Sequence, residues 1–208
     1  PSLMNAPLSP LSAVSLHDAQ IAIGPFMPED SASLFLWLND VDAANLDLAF
    51  RPIDWTAFQT WLVDAGRNAS RVMFAIRKVS QPQILGYLAL SNIHAVHRSA
   101  ELGIRIGAAA DRGKGYGQAA LALALKYAWN TLNLHRVQLT VFAHNARAIA
   151  SYRAAGFEEE GRLAHAAFID GQWVDVIIMG ALRPGAVQTM AHAPAANEHV
   201  QLAFVGRA

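Results

Sequence analysis

The chain has 208 residues, enough for one domain with a buried core. It is 53% hydrophobic and 15% charged, below the roughly 25% charged residues of an average soluble domain, which points to a compact, well-buried fold. Sixteen basic and sixteen acidic residues cancel, so no global field draws nucleic acid or anionic lipid, and the absence of cysteine excludes disulfides, thiolate metal sites and a cysteinyl acyl-enzyme. No apolar run reaches about 18 residues, so no membrane span is expected. Residues 1–20 lack the basic and apolar regions of a signal peptide. With no cysteine in the chain, a cytoplasmic location is the default expectation.

The predicted organisation is a flexible leader over 1–19, one domain over 20–183 and a tail over 184–208. Residues 20–27 read as a first strand. Pro28-Glu29-Asp30-Ser31 opens a helix in which Leu34, Trp37 and Leu38 share a face. Residues 39–52 form a polar segment carrying Asp40, Asp42 and Asp47. Asp54 caps a second helix, whose Trp55, Phe58, Trp61, Leu62 and Ala65 repeat at three and four residues. Strands follow at 71–78, with Val72, Phe74 and Ile76 alternating, at 84–91 antiparallel to it across Gln81-Pro82-Gln83, and at 100–107 after a polar turn over 92–99.

Residues 117–129 form a helix apolar on most sides, as expected of one packed across a sheet. Residues 136–142 are a strand, and 145–155 a short helix with Asn145 at its cap and Gly156 as its stop. Residues 157–168 and 173–182 make a hairpin across Ile169-Asp170-Gly171-Gln172, where Asp-Gly is a strong turn signal. Alternation of strand and helix in the middle of the chain implies a right-handed crossover inside a mixed sheet. The tryptophans at 37, 55, 61, 129 and 173 occupy core-type positions, with Trp37, Trp55 and Trp61 also available to an acceptor pocket.

The stretch Arg112-Gly113-Lys114-Gly115-Tyr116-Gly117-Gln118 organises the rest. Its glycines free the backbone for positive φ, and the helix behind it aims unpaired N–H groups and a positive dipole end at the same spot. This is an anion site shaped for a pyrophosphate, with Arg112 and Lys114 adding charge at its rim. A P-loop would need G-x-x-x-x-G-K followed by Ser or Thr, and the spacing does not fit. A dinucleotide fingerprint is nearly met by Gly115-x-Gly117-x-x-Ala120, yet the next strand ends Val141-Phe142-Ala143-His144 without the acid that would hold a ribose. A third reading is an R-x-x-G-x-G loop, which Arg112, Gly115 and Gly117 match.

Three pieces in order carry a family resemblance: Ala100-Glu101-Leu102-Gly103-Ile104, then 112–117, then Asn145-x-x-Ala148-x-x-Ser151-Tyr152-x-x-x-Gly156-Phe157. The chain resembles the GNAT N-acetyltransferase superfamily, of the RimJ/RimL type, over about residues 20–182. Asn92-Ile93-His94-x-x-His97-Arg98-x-Ala100-Glu101 further resembles its polyamine and amino-sugar branches. The resemblance implies a single-domain α/β fold: a mixed, mostly antiparallel sheet splayed between two central parallel strands and flanked by helices. It implies acetyl-CoA in the splay as co-substrate. Main-chain groups of Ile104, Arg105 and Ile106 would pair with the pantetheine arm, and the amides of Gly113, Lys114, Gly115, Tyr116, Gly117 and Gln118 with the pyrophosphate. Asn145, Ser151 and Tyr152 would contact the cofactor from the short helix.

Acetyl transfer from a thioester to an amine needs few groups. An alkyl amine has a pKa of about 10, so it must lose a proton before it attacks, and the leaving thiolate benefits from an acid. Tyr152 is the leading candidate for that acid, and Asn145, two helical turns earlier, faces the same way. Glu101 is the candidate base, with substrate binding, a pairing to Arg98 or Arg105, and a water chain without any dedicated base as alternatives. His94 and His97 lack a third ligand at a metal spacing, so no metal is expected. His144 and His165 have no assigned role.

The resemblance leaves the acceptor open. A small-molecule amine of polyamine type could use Glu29, Asp40, Asp42, Asp47 and Asp54; an amino sugar could use Arg51, Trp55, His94 and Arg98; a protein N-terminus ranks second. A non-catalytic CoA-binding sensor and a nicotinamide-linked oxidoreductase are the rivals of other classes. Members of this group often dimerise, and a homodimer could form through Val200–Val205 of the tail.

Overall fold

The computed structural model describes residues 16–44, 50–81 and 83–185, so the leader before Leu16, Asp47, Pro82 and the tail segment with Val200–Val205 lie outside the described residues. In chain order the elements are β1 (Leu16–His17), β2 (Ile21–Gly24), α1 (Ser31–Leu38, after a 3-10 turn at Pro28–Asp30), α2 (Val41–Ala44), α3 (Trp55–Arg67), β3 (Val72–Lys78), β4 (Ile84–His94), β5 (Ser99–Ile106), α4 (Tyr116–Asn130), β6 (Arg136–Phe142), α5 (Ala146–Ala154), β7 (Glu158–Ile169) and β8 (Gln172–Leu182). The strands form one sheet in the order β1-β2-β3-β4-β5-β6-β8-β7. All neighbours are antiparallel except β5 and β6. A parallel pair needs a crossover, and α4 supplies it.

That parallel pair is short. Ser99, Ala100 and Glu101 face Arg136, Val137 and Gln138, and there the pairing stops although β5 runs on to Ile106 and β6 to Phe142. The sheet therefore opens between its two halves. Helix α4 closes one face with Ala120, Leu121, Leu123, Ala124, Leu125, Ala128 and Trp129 buried, which is why its sequence is apolar on most sides. Its Tyr127 meets Phe74 of β3 edge-on at 5.0 Å between centroids.

The residues predicted as leader contain β1, because Leu16 and His17 pair with Ile23 and Ala22. Strand β4 extends beyond the predicted end at 91, through a register shift between Ser91 and His94 with Asn92 at φ 51°. The polar turn shrinks to 95–98 accordingly. Asp54 caps α3 by accepting from Ala57 N at 2.9 Å, as its spacing predicts. The predicted Asp-Gly hairpin turn forms with positive φ at Asp170 and Gly171.

Two of the five tryptophans depart from core positions. Trp173 is 62% exposed and tilts against Phe168, while Trp55 is 45% exposed and packs with Phe35 and Phe58 in an aromatic cluster joining α1 to α3. Trp61 joins that cluster through Phe58. Asp30 and Arg77 form a buried ion pair, and Asp30 also accepts from Met27 N at 2.7 Å.

On the far half, Arg136 of β6 forms a two-pronged pair with Glu160 of β7 across β8. The hydrogen bond from Arg136 holds the Glu160 carboxyl below its usual range. Asp175 is likewise lowered, first by the backbone N–H of His165 and then by Arg162. Among the described residues no helix is long and apolar enough to cross a membrane.

Candidate active site

The opening between β5 and β6 is a cavity of about 460 Å³. One wall is the end of β5 with Ile104, Arg105 and Ile106; another is Thr140 and Val141 of β6; the rim is the glycine loop, and the fourth side is α5. A second hollow, of about 580 Å³ but more open to solvent, lies along α3 beside Asp54, Trp61 and Asp64, and it shares no lining residue with the first.

The glycine loop has the predicted conformation. Gly113 and Gly115 sit at φ 76° and 84°, in the left-handed region where a Cβ is strained. Gly115 is the N-cap of α4, with no side-chain cap, and the first backbone bond of the helix is Ala119 N to Gly115 O at 3.0 Å. The N–H groups of Tyr116, Gly117 and Gln118 therefore have no acceptor within the helix, and all three residues line the cavity. Such an end holds anions through its amides and its dipole.

Of the residues predicted to hold a cofactor, Ile104, Arg105, Ile106, Arg112, Gly113, Gly115, Tyr116, Gly117, Gln118, Asn145, Ser151 and Tyr152 all line this cavity. Lys114 does not; its ammonium stands 3.7 Å from Asp111, which also holds Lys78 at 3.9 Å. Arg112 lines the cavity but is not the free rim charge its position suggests. Its Nε donates to Ile106 O at 3.1 Å and its Nη2 to Gly107 O at 2.6 Å. The guanidinium thus ties the loop to the end of β5. Arg105 is buried and donates to Trp37 O at 2.9 Å. The Trp37 indole covers Gly107 so closely that a Cβ there would lie 1.9 Å from it.

Asn145 is the N-cap of α5 and accepts from Ala148 N at 3.2 Å, which orients the helix with Tyr152 on the cavity side. Tyr152 is buried and meets Phe157 edge-on at 5.9 Å. Glu101 is outside the lining. It stands on the last paired rung, opposite Gln138, where the opening begins, and its exposed carboxylate accepts from Asn92 Nδ2 at 2.9 Å. Arg98, considered as its partner, instead donates to Asn133 O and Oδ1. His94 and His97 stack at 4.1 Å, with His97 N donating to His94 Nδ1. Among the described residues no group of three metal-ligating side chains gathers.

Sequence reasoning missed Asp111, Leu121, Thr140, Val141, Arg147, Ala148 and Ala150 as lining residues. Thr140 and Val141 could not be read locally, since only the loss of pairing after Gln138 exposes them. Arg147 had a signal: it lies two residues after the cap and four before Ser151.

The acetyltransferase (GNAT) domain family model matches residues 20–158. A spermidine N(1)-acetyltransferase of Vibrio cholerae is 39% identical over 97 residues, covering 47% of this chain and 56% of that protein. The Escherichia coli ribosomal protein uS5-alanine N-acetyltransferase is 28% identical over 134 residues, 64% of this chain and 69% of that protein. The match to the spermidine enzyme thus spans about half its length. The crystal structure of spermidine N-acetyltransferase from Vibrio cholerae in complex with CoA and spermine superposes with a TM-score of 0.74 at 26% identity, covering 79% of this chain and 96% of that one. A dodecameric structure of the same enzyme in an intermediate state superposes at 0.66 and 27%, covering 79% and 95%. A family model spanning both walls of the opened sheet, with the glycine loop between them, identifies the architecture: the chain belongs to the GNAT acetyltransferase family.

Proposed function

We propose that this protein transfers the acetyl group of acetyl-CoA to a primary amine of a small molecule, of the polyamine type, by direct attack in a ternary complex. The observation that carries the reading is the cavity itself. An anion-binding helix end, an opened parallel strand pair and the Tyr152 side chain share one enclosure. The pantetheine arm lies along Ile104–Ile106, the pyrophosphate on the amides at the start of α4, and Asn145 and Ser151 face the arm from α5.

The amine nitrogen attacks the thioester carbonyl, and the C–S bond breaks as the tetrahedral intermediate collapses. Tyr152 gives its phenolic proton to the departing thiolate of CoA, and the proton that the nitrogen sheds on becoming an amide restores the phenol, directly or through water. Glu101, at the apex of the opening, takes the proton of the incoming ammonium directly or through water, before attack. Lys114 serves the loop through Asp111 instead of through the ligand. The amine is of polyamine type because the first helical segment offers Glu29, Asp40 and Asp42, and because relatives in this family act on spermidine. A peptide amine is the second reading, supported by the uS5-alanine N-acetyltransferase match. Self-association follows the same pattern, given the dodecameric neighbour.

The test is calorimetric titration with acetyl-CoA, then a panel of polyamines, amino sugars and peptides read by free thiol release. Binding with release from polyamines is expected. Binding without release from any amine would favour a sensor, and thermal protection by NAD but not CoA would overturn the reading. Light scattering of the full chain reads the oligomeric state.

A further inference from the structure

Three arginines line the cavity, and two are occupied by the protein. Arg105 is buried and donates to Trp37 O. Arg112 donates to the carbonyls of Ile106 and Gly107. The lysines nearest the glycine loop, Lys78 and Lys114, stand beside Asp111, the one carboxylate in the lining. Arg147 differs. It is exposed, and among the described residues its guanidinium makes no hydrogen bond or ion pair.

Its place in the helix is electrostatically adverse. Arg147 is the second residue of α5, at the positive end of the dipole, and the first turn contains no acid to offset it. Ser151 follows one turn later on the same face, its hydroxyl donating to Arg147 O at 3.1 Å, and lines the cavity too. Helix energetics do not account for a cation here. A bound anion would, by meeting the guanidinium and the helix end together.

This step rests on reading the cavity as an acetyl-CoA site. Coenzyme A carries two separate anionic groups, a pyrophosphate and a ribose 3′-phosphate. The amides of Tyr116, Gly117 and Gln118 take the first. We propose that Arg147 takes the second, and that it selects the 3′-phosphorylated cofactor over its 3′-dephospho form. The guanidinium fork suits a phosphate through paired charge-assisted bonds.

The experiment titrates acetyl-CoA and acetyl-3′-dephospho-CoA against the full chain, against Arg147→Gln and against Lys114→Gln, by calorimetry and without any amine. The unaltered protein should prefer the 3′-phosphate by about tenfold or more, the scale of a hydrogen bond between charged groups. Arg147→Gln should abolish most of that preference while binding the dephospho form as before, and Lys114→Gln should keep it. An equal loss of both ligands in Arg147→Gln would place Arg147 on the pyrophosphate and overturn the assignment. Retention of the preference in Arg147→Gln, its loss in Lys114→Gln, or equal binding of both ligands by the unaltered protein would overturn it as well. Failure of the unaltered protein to bind either ligand would instead overturn the acetyl-CoA reading itself. Arg147 is exposed, so matching thermal melts will show that the variant folds.

Discussion

The two halves of this molecule are built on different principles. The cavity half, from the unpaired end of β5 at Ile104, Arg105 and Ile106 through the glycine loop, α4, the unpaired part of β6 and α5, presents main-chain groups: amides left open by a helix start and strand edges left open by lost pairing. Its side chains mostly hold that backbone in place, as Arg112 does at Ile106 and Gly107, and Asn145 at Ala148. The other half, around α1 to α3 and the paired ends of β4 and β5, presents side chains on an exposed surface, with Glu101 on Asn92 and Trp55 in an aromatic cluster. Under the proposed function, acetyl-CoA would be served mostly by backbone and the amine by side chains. The difference makes separable predictions.

The largest effect should come from the one side chain in the cavity half assigned to chemistry. Tyr152→Phe removes the proton donor and keeps the ring on Phe157. Thiol release should fall about 100-fold, the lower end of general-acid contributions, with acetyl-CoA affinity held. Unchanged turnover would remove the acid role and leave Tyr152 as a packed aromatic.

Next in size is a bracing residue. Arg112→Met leaves the carbonyls of Ile106 and Gly107 without their donor and frees the loop. Acetyl-CoA affinity should drop about tenfold, and the thermal midpoint should fall with it, since each lost bond is worth about 1 kcal/mol or more. A loss of affinity with an unchanged midpoint would show that Arg112 acts on the ligand directly.

On the other half, Glu101→Gln should slow turnover about tenfold near neutral pH without changing acetyl-CoA binding. The loss should shrink as pH approaches the amine pKa of about 10, where the substrate deprotonates unaided. A loss constant across pH would assign Glu101 to amine binding rather than to proton removal.

The smallest effect lies at the first residue of β6, outside the cavity lining. The Glu160 carboxyl is held low by Arg136, so the folded state keeps it ionised where the unfolded chain has begun to protonate. That contribution is complete above the ordinary carboxylate range and is lost as pH falls through the lowered folded value. Glu160→Gln should therefore flatten the acid limb of the stability profile below about pH 4.5. At pH 7 the cost should be no more than about 1 kcal/mol, as for partly exposed pairs. A steeper acid limb would contradict the lowered pKa.

What was legible in the sequence has a common physical origin: it depends on residues within a few positions of one another. Positive φ at Gly113 and Gly115, the caps at Asp54 and Asn145, the Asp170-Gly171 turn and the apolar wrap of α4 are all local consequences of residue type. So were most of the lining residues, because the loop and α5 arrive as whole motifs. Tertiary structure decided what each charge does once distant segments meet. Arg112 and Lys114 looked like rim cations, and packing gave them the β5 carbonyls and Asp111. The opening begins after Glu101 because β5 and β6 part there, a matter of pairing across the crossover that no local pattern encodes. Likewise β1 is a strand only because β2 lies beside it, and Trp173 is exposed because its end of the hairpin faces solvent. Backbone conformation follows from neighbours in the chain, whereas the partners of a side chain follow from neighbours in space.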